Sequence, residues 1–125
     1  MINDLKINLE MRFVESALSG STHKFEVLLN YEKPDEWNFE YVSYPIYFYL
    51  ITRLFYVTWE PNANKFLITK HGKENCAKVI FNLKAKHTNK KENIIVQIKN
   101  SFGVTCHAMK FMTEVYTPNL YDWYS

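Results

Sequence analysis

A chain of 125 residues with 47% hydrophobic and 22% charged side chains is one domain's worth, long enough to bury a single core, and its composition excludes intrinsic disorder. The net charge of +2 hides an uneven spread: residues 1–62 hold 5 Lys and Arg against 9 Asp and Glu, whereas residues 63–125 hold 10 against 4. A domain built this way presents a field despite its small total. Two cysteines are too few for a disulfide scaffold.

Residues 1–5 carry neither a basic leader nor an apolar stretch, which predicts a cytoplasmic chain without a secretion signal. Leu5, Ile7, Leu9, Met11 and Phe13 then alternate with polar residues. Wound as a helix they would scatter over opposite sides; extended, they share one face, so a strand is expected. Residues 16–22 read as a loop with at most one helical turn. Phe25, Val27, Leu29 and Tyr31 alternate again, and residues 33–36 hold Pro34 and Asp35 in a turn. Trp37, Phe39 and Tyr41 predict a third strand.

Residues 44–59 are almost continuously apolar and aromatic. A membrane-spanning helix needs about 20 apolar residues, and this run is shorter and contains Arg53. Ser43 and Pro45 are suited to starting a helix. The abundance of Ile, Val, Thr, Tyr, Phe and Trp favours a pleated strand instead. One straight strand of that length overruns a small domain, so it is expected to bend, bulge or cross between sheets. Residues 59–66 read as a hairpin loop with 66–69 returning. Val79, Phe81, Leu83 and Ala85 alternate, with Ile94, Val96 and Ile98 as the partner strand. A last strand places Met109, Phe111, Thr113 and Val115 on one face, stops at Pro118 and leaves a short aromatic tail over residues 117–125.

About eight strands with turn signals between them predict a single all-β domain over 1–125, an antiparallel sandwich or barrel. The alternative is an α+β fold with a buried helix around 44–56.

Catalytic motifs are missing: no phosphate loop, nucleophile elbow, HExxH or CxxC occurs. His71, Cys76, Cys106 and His107 are weak candidates for a zinc site. Adjacent Cys106 and His107 point to opposite sides of a strand and would share an ion only at a bulge. No metal or cofactor is expected. Cys106 with His71 or His23 is an equally slight nucleophile pair, and apolar-flanked Cys106 reads as a core cysteine. Glu10, Glu26 and Glu40 lie on the polar faces of three early strands and read as solvated charges.

Lys78, Lys84, Lys86, Lys90, Lys91 and Lys99 gather on the hairpin expected over 78–99, a ribbon suited to polyanions or single-stranded nucleic acid. Two features oppose that reading: 13 of the 15 basic residues are Lys rather than Arg, and lysines also guard exposed sheet edges. Trp37, Tyr49 and Trp59 are candidates for stacking on sugars. Leu120, Tyr121, Trp123 and Tyr124 crowd the tail and are expected to anchor a partner. The leading expectation is a non-catalytic protein that docks on another protein, an accessory or inhibitory factor of phage, viral or AT-rich bacterial origin. Polyanion binding and carbohydrate binding are the alternatives, and no membrane partner is expected.

Overall fold

The computed structural model describes residues 6–33, 36–37, 40–71 and 75–118. Among these residues nine strands run in chain order: β1 (Lys6–Arg12), β2 (Ser16–Leu18), β3 (Thr22–Glu32), β4 (Ser43–Ile51), β5 (Phe55–Thr58), β6 (Lys65–Thr69), β7 (Cys76–Ala85), β8 (Lys90–Asn100) and β9 (Thr105–Tyr116). They form a four-stranded sheet ordered β1-β3-β7-β5 and a five-stranded sheet ordered β2-β9-β8-β4-β6. The alternation in β3, β7 and β8 aims Phe25, Val27, Leu29, Val79, Phe81, Leu83, Ile94, Val96 and Ile98 into one shared core. No helix occurs among the described residues, so the α+β alternative is excluded. None there is long and apolar enough to cross a membrane.

Phe13 is the aromatic hub of that core. Its ring centroid lies 5.0 Å from Phe25, 5.3 Å from Phe55 and 6.1 Å from Phe111. These tilted and edge-on contacts suit the quadrupoles of the rings and join both sheets.

The chain changes sheets where the sequence offers little warning. Residues 16–18, expected as loop, form β2, which pairs parallel with β9. The sandwich is therefore not wholly antiparallel. Residues 13–15 carry the chain across, and the Thr113 hydroxyl holds the crossing by donating to the Val14 carbonyl at 2.9 Å. After β2, Gly20 turns the chain at φ 79°, a left-handed conformation in which a Cβ is strained.

The aromatic run 44–59 also crosses, as expected of an overlong strand. Its first part is β4 in the five-stranded sheet and its last is β5 in the four-stranded one. Between them Leu54 is buried, Arg53 projects outward, and Thr52 Oγ1 accepts the Leu54 amide at 3.1 Å.

Three further expectations fail. Residues 59–66 are not a hairpin loop, since β5 pairs with β7 and β6 with β4. The connection instead crosses sheets, with Asn62 at φ 63° and buried Asn64 Nδ2 donating to the Phe48 carbonyl at 3.1 Å. Trp37 and Tyr41 lie in a loop rather than a third strand, while Phe39, like Pro34 and Asp35 of the expected turn, lies outside the described residues. Trp37 Nε1 donates to the Tyr41 carbonyl at 2.8 Å, a short reach across four residues that an extended chain forbids. Finally, β7 and β8 do not pair: β7 lies between β3 and β5, and β8 between β4 and β9.

Candidate functional site

The lysine ribbon is divided by that last correction. Lys84 faces outward on the four-stranded sheet and Lys86 follows it, whereas Lys90, Lys91 and Lys99 belong to the five-stranded sheet. Both β7 and β8 are interior strands, so edge protection is not the reason for their lysines either.

The zinc candidates are likewise separated. Cys76 is exposed on β7 of one sheet, and His71 is exposed in the loop before it. Cys106 and His107 lie half-buried on β9 of the other sheet. A bulge does occur there: Ile98 opposes His107 and Lys99 opposes Thr105, leaving Cys106 as the extra residue. Even so, the described residues contain no group of three His, Cys, Asp or Glu able to hold a metal.

The nucleophile pairs are not assembled. Burial pushes the Cys106 thiol above its usual pKa, against a smaller lowering from the Asn100 backbone, and its Sγ donates to the Val104 carbonyl at 3.6 Å. A neutral, half-buried thiol is a poor nucleophile. His23 lies at the opposite end of the sandwich, where its Nε2 is 2.8 Å from Ser21 Oγ. Ser21 commits its own proton to the Leu18 carbonyl, so His23 donates to it and does not serve as its base. With a thiol-specific disulfide reagent at neutral pH, exposed Cys76 is expected to react fast and Cys106 at least about tenfold slower. Equal rates would contradict this assignment.

Other candidates find plain structural places. Glu10 sits 3.6 Å from Arg12, and Glu26 sits 3.2 Å from Lys78, so each acid has a basic neighbour; Glu40 lies in a loop. Trp59 rests edge-on against Phe81 at 5.6 Å, Trp37 tilts on Tyr44, and Tyr49 belongs to the outward side of β4. The three do not make one sugar platform. The tail anchors Leu120, Tyr121, Trp123 and Tyr124 lie outside the described residues.

The two outward sheet faces differ in kind. On the four-stranded sheet, charges of both signs interleave: Lys6–Glu32, Arg12–Glu10 and Lys78–Glu26 are ion pairs. On the five-stranded sheet, the alternation of β4, β8 and β9 turns Tyr47, Tyr49, Ile51, Ile95 and Met112 outward, beside Leu67 of β6. Ile51, Leu67 and Met112 are 47%, 48% and 47% exposed. Lys65, Lys91, Lys99 and Lys110 share this face, and Glu114, opposite Lys91, is the acid on its described strand positions. Lys65 lies over the Tyr47 ring at 5.9 Å and Lys99 over the Tyr49 ring at 5.3 Å. The lysine stems cover aromatic surface while their ammonium groups stay available to an anionic partner.

At one end of this face the β8–β9 turn lifts Phe102 into solvent, 89% exposed. The turn is tightly built. Asn100 Oδ1 accepts the amides of Phe102 and Val104 at 2.9 and 3.0 Å, and Gly103 takes a φ of 78°. Sequence reasoning missed both features. The available signal was Asn100 and Gly103 bracketing one large apolar residue.

No family model matches the chain, and no curated protein matches it in sequence. Over 89% of its length it is similar in fold, at 11% identity and a TM-score of 0.63, to part of the native conformation of E. coli alpha-2-macroglobulin; it spans 7% of that chain. A conjugative transposon lipoprotein from Bacteroides eggerthii DSM 20697 aligns with 87% of this chain and 95% of its own, at 16% identity and a TM-score of 0.45. A cohesin module from a Clostridium perfringens family 33 glycoside hydrolase aligns with 90% and 98%, at 16% identity and a TM-score of 0.41. What the first likeness establishes is the two-sheet β architecture.

Proposed function

We propose that this domain is a non-catalytic docking module that binds an acidic protein surface through the outward face of its five-stranded sheet. The observation that carries the reading is the contrast between its two faces. On the four-stranded sheet three ion pairs take up six charges and leave Lys24 and Lys84 over, while the five-stranded sheet presents exposed apolar side chains together with four lysines against Glu114. Exposed apolar area of that kind marks interaction sites, and matched charge steers the encounter and selects the partner.

The test is charge reversal on one face at a time, read by cross-linking and quantitative capture from the native host. Lys65→Glu, Lys99→Glu and Lys110→Glu together are expected to weaken partner binding at least about tenfold, roughly 1.4 kcal/mol. Lys24→Glu with Lys84→Glu on the other sheet should leave it intact. The reverse pattern would sink the proposal. A single-stranded polyanion is the second reading, favoured by the lysines poised over Tyr47 and Tyr49. It requires salt-sensitive retention on oligo-dT, lost in the same triple variant.

A further inference from the structure

The same sheet face carries an exposed aromatic ring, Phe102, at one end and a partly apolar depression at the other. Beyond Ile51 the surface sinks into a shallow depression of about 440 Å³, walled by Ile51, Ile95 and Met112 and rimmed by Arg53, Lys91 and Glu92. Its apolar walls suit a ring. Arg53 extends into solvent with its Nε 3.7 Å from Glu92, where its planar guanidinium can cover an incoming aromatic face. A neighbouring hollow shares Lys91 and Met112 and adds Glu15 and Glu114.

Projection and depression lie at opposite ends of β8. Asn93, which lines the depression, stands nine residues before Phe102, so the two are about 30 Å apart along an extended strand. A rigid turn at that distance cannot fill the depression of its own molecule, but it can reach that of the next.

We propose that the chain assembles head to tail: Phe102 of one copy seats between Ile51, Ile95 and Met112 of another. Charge supports this arrangement over a face-to-face dimer. Stacking two five-stranded faces would bring together two surfaces that each carry Lys65, Lys91, Lys99 and Lys110 against Glu114. Head-to-tail contact instead brings Lys99, beside the turn, toward an end where Glu15, Glu92 and Glu114 outnumber Arg53 and Lys91. The turn is already fixed by Asn100 and Gly103, so little freedom is lost on docking. Such a contact is heterologous, so each copy keeps one free projection or depression and assembly continues past the dimer. This inference goes beyond partner docking and leaves Tyr47 and Tyr49, nearer the middle of the face, uncovered.

Sedimentation velocity of the full chain over a wide concentration range tests it. Wild type is expected to show a mass average that rises past the dimer. Phe102→Asp keeps the depression and loses the projection; Met112→Lys keeps the projection and spoils the depression. Each alone should be monomeric, and their equimolar mixture should form a 1:1 dimer that grows no further. Far-UV circular dichroism confirms folding, and Phe102→Ser with Ile51→Lys replaces the pair if either variant misfolds. A wild type that stays monomeric at every concentration overturns the proposal. So does a Phe102→Asp protein that assembles like wild type, or a variant mixture that stays monomeric. Because Phe102→Asp leaves the Tyr–Lys surface intact, loss of self-assembly and loss of partner docking are read separately.

Discussion

Truncating Phe25 to alanine is expected to lower the unfolding free energy by about 3–5 kcal/mol. Phe25 is fully buried on β3, an interior strand, and its ring lies 5.0 Å from Phe13 and 5.9 Å from Phe111. The loss combines the transfer free energy of the ring with the vacancy it leaves. Phe111 and the other core residues held on paired strands cannot close that vacancy, and Phe13 is tethered at the crossing by its ring contacts. Small domains are stable by about 5–15 kcal/mol, so one truncation removes a large share of the margin. Urea unfolding of Phe25→Ala beside Tyr56→Ala, at an exposed position on β5, checks the claim. Equal small losses in the two would mean that the Phe13–Phe25–Phe111 cluster is not the centre of the core.

Thr113→Val carries the second large effect, expected at about 1–3 kcal/mol although valine has nearly the shape of threonine. Thr113 is fully buried, and its hydroxyl donates to the Val14 carbonyl at 2.9 Å and lies 3.3 Å from that of Glu15. The Glu114 amide also reaches the Glu15 carbonyl, at 3.0 Å, so Glu15 keeps a donor in the variant. Val14 loses the one that Thr113 gives it. A part-buried carbonyl stripped of its donor beside an apolar methyl bears a desolvation cost without return. Because this bond holds the crossing from β1 to β2, the damage should be local. Amide exchange at Ala17 and Leu18 is expected to accelerate more than at Val27 or Phe81. Uniform acceleration would show that Thr113 supports the whole sandwich rather than the crossing.

Much of the fold could be read from alternation, because β1, β3, β7, β8 and β9 each bury one side and a period of two is the mark of that. Pairing partners could not. The crossings at 13–15 and 52–54 contain no glycine or proline, so nothing punctuates them. Neighbouring alternating segments therefore looked like hairpins when they belong to opposite sheets. Trp37 and Tyr41 alternate with polar residues for a different reason, the indole bond that curls their loop.

The candidate surface was hidden by β4. Ile46 and Phe48 point inward while Tyr47 and Tyr49 point outward, so both sides are apolar and the alternation disappears. In hindsight that lack of alternation was the signal: an interior strand apolar on both sides has one side left for something else. The lysines were visible one by one, but which of them share a face depends on pairings between residues far apart in sequence.

Those same long-range pairings govern how the chain finds its structure. Among the described strands, only β8 and β9 are both consecutive and paired; every other pairing must close a loop containing at least one intervening strand. Bringing such distant segments together costs entropy before contacts repay it, which places folding in the slow range of roughly milliseconds to seconds. The turn at residues 101–104 is the exception, a local closure available on the microsecond scale. Among the described strands, the segment that holds Phe102 in solvent is thus also the one that can form a hairpin without waiting for a distant strand, so a refolding chain can present that ring before its core is assembled.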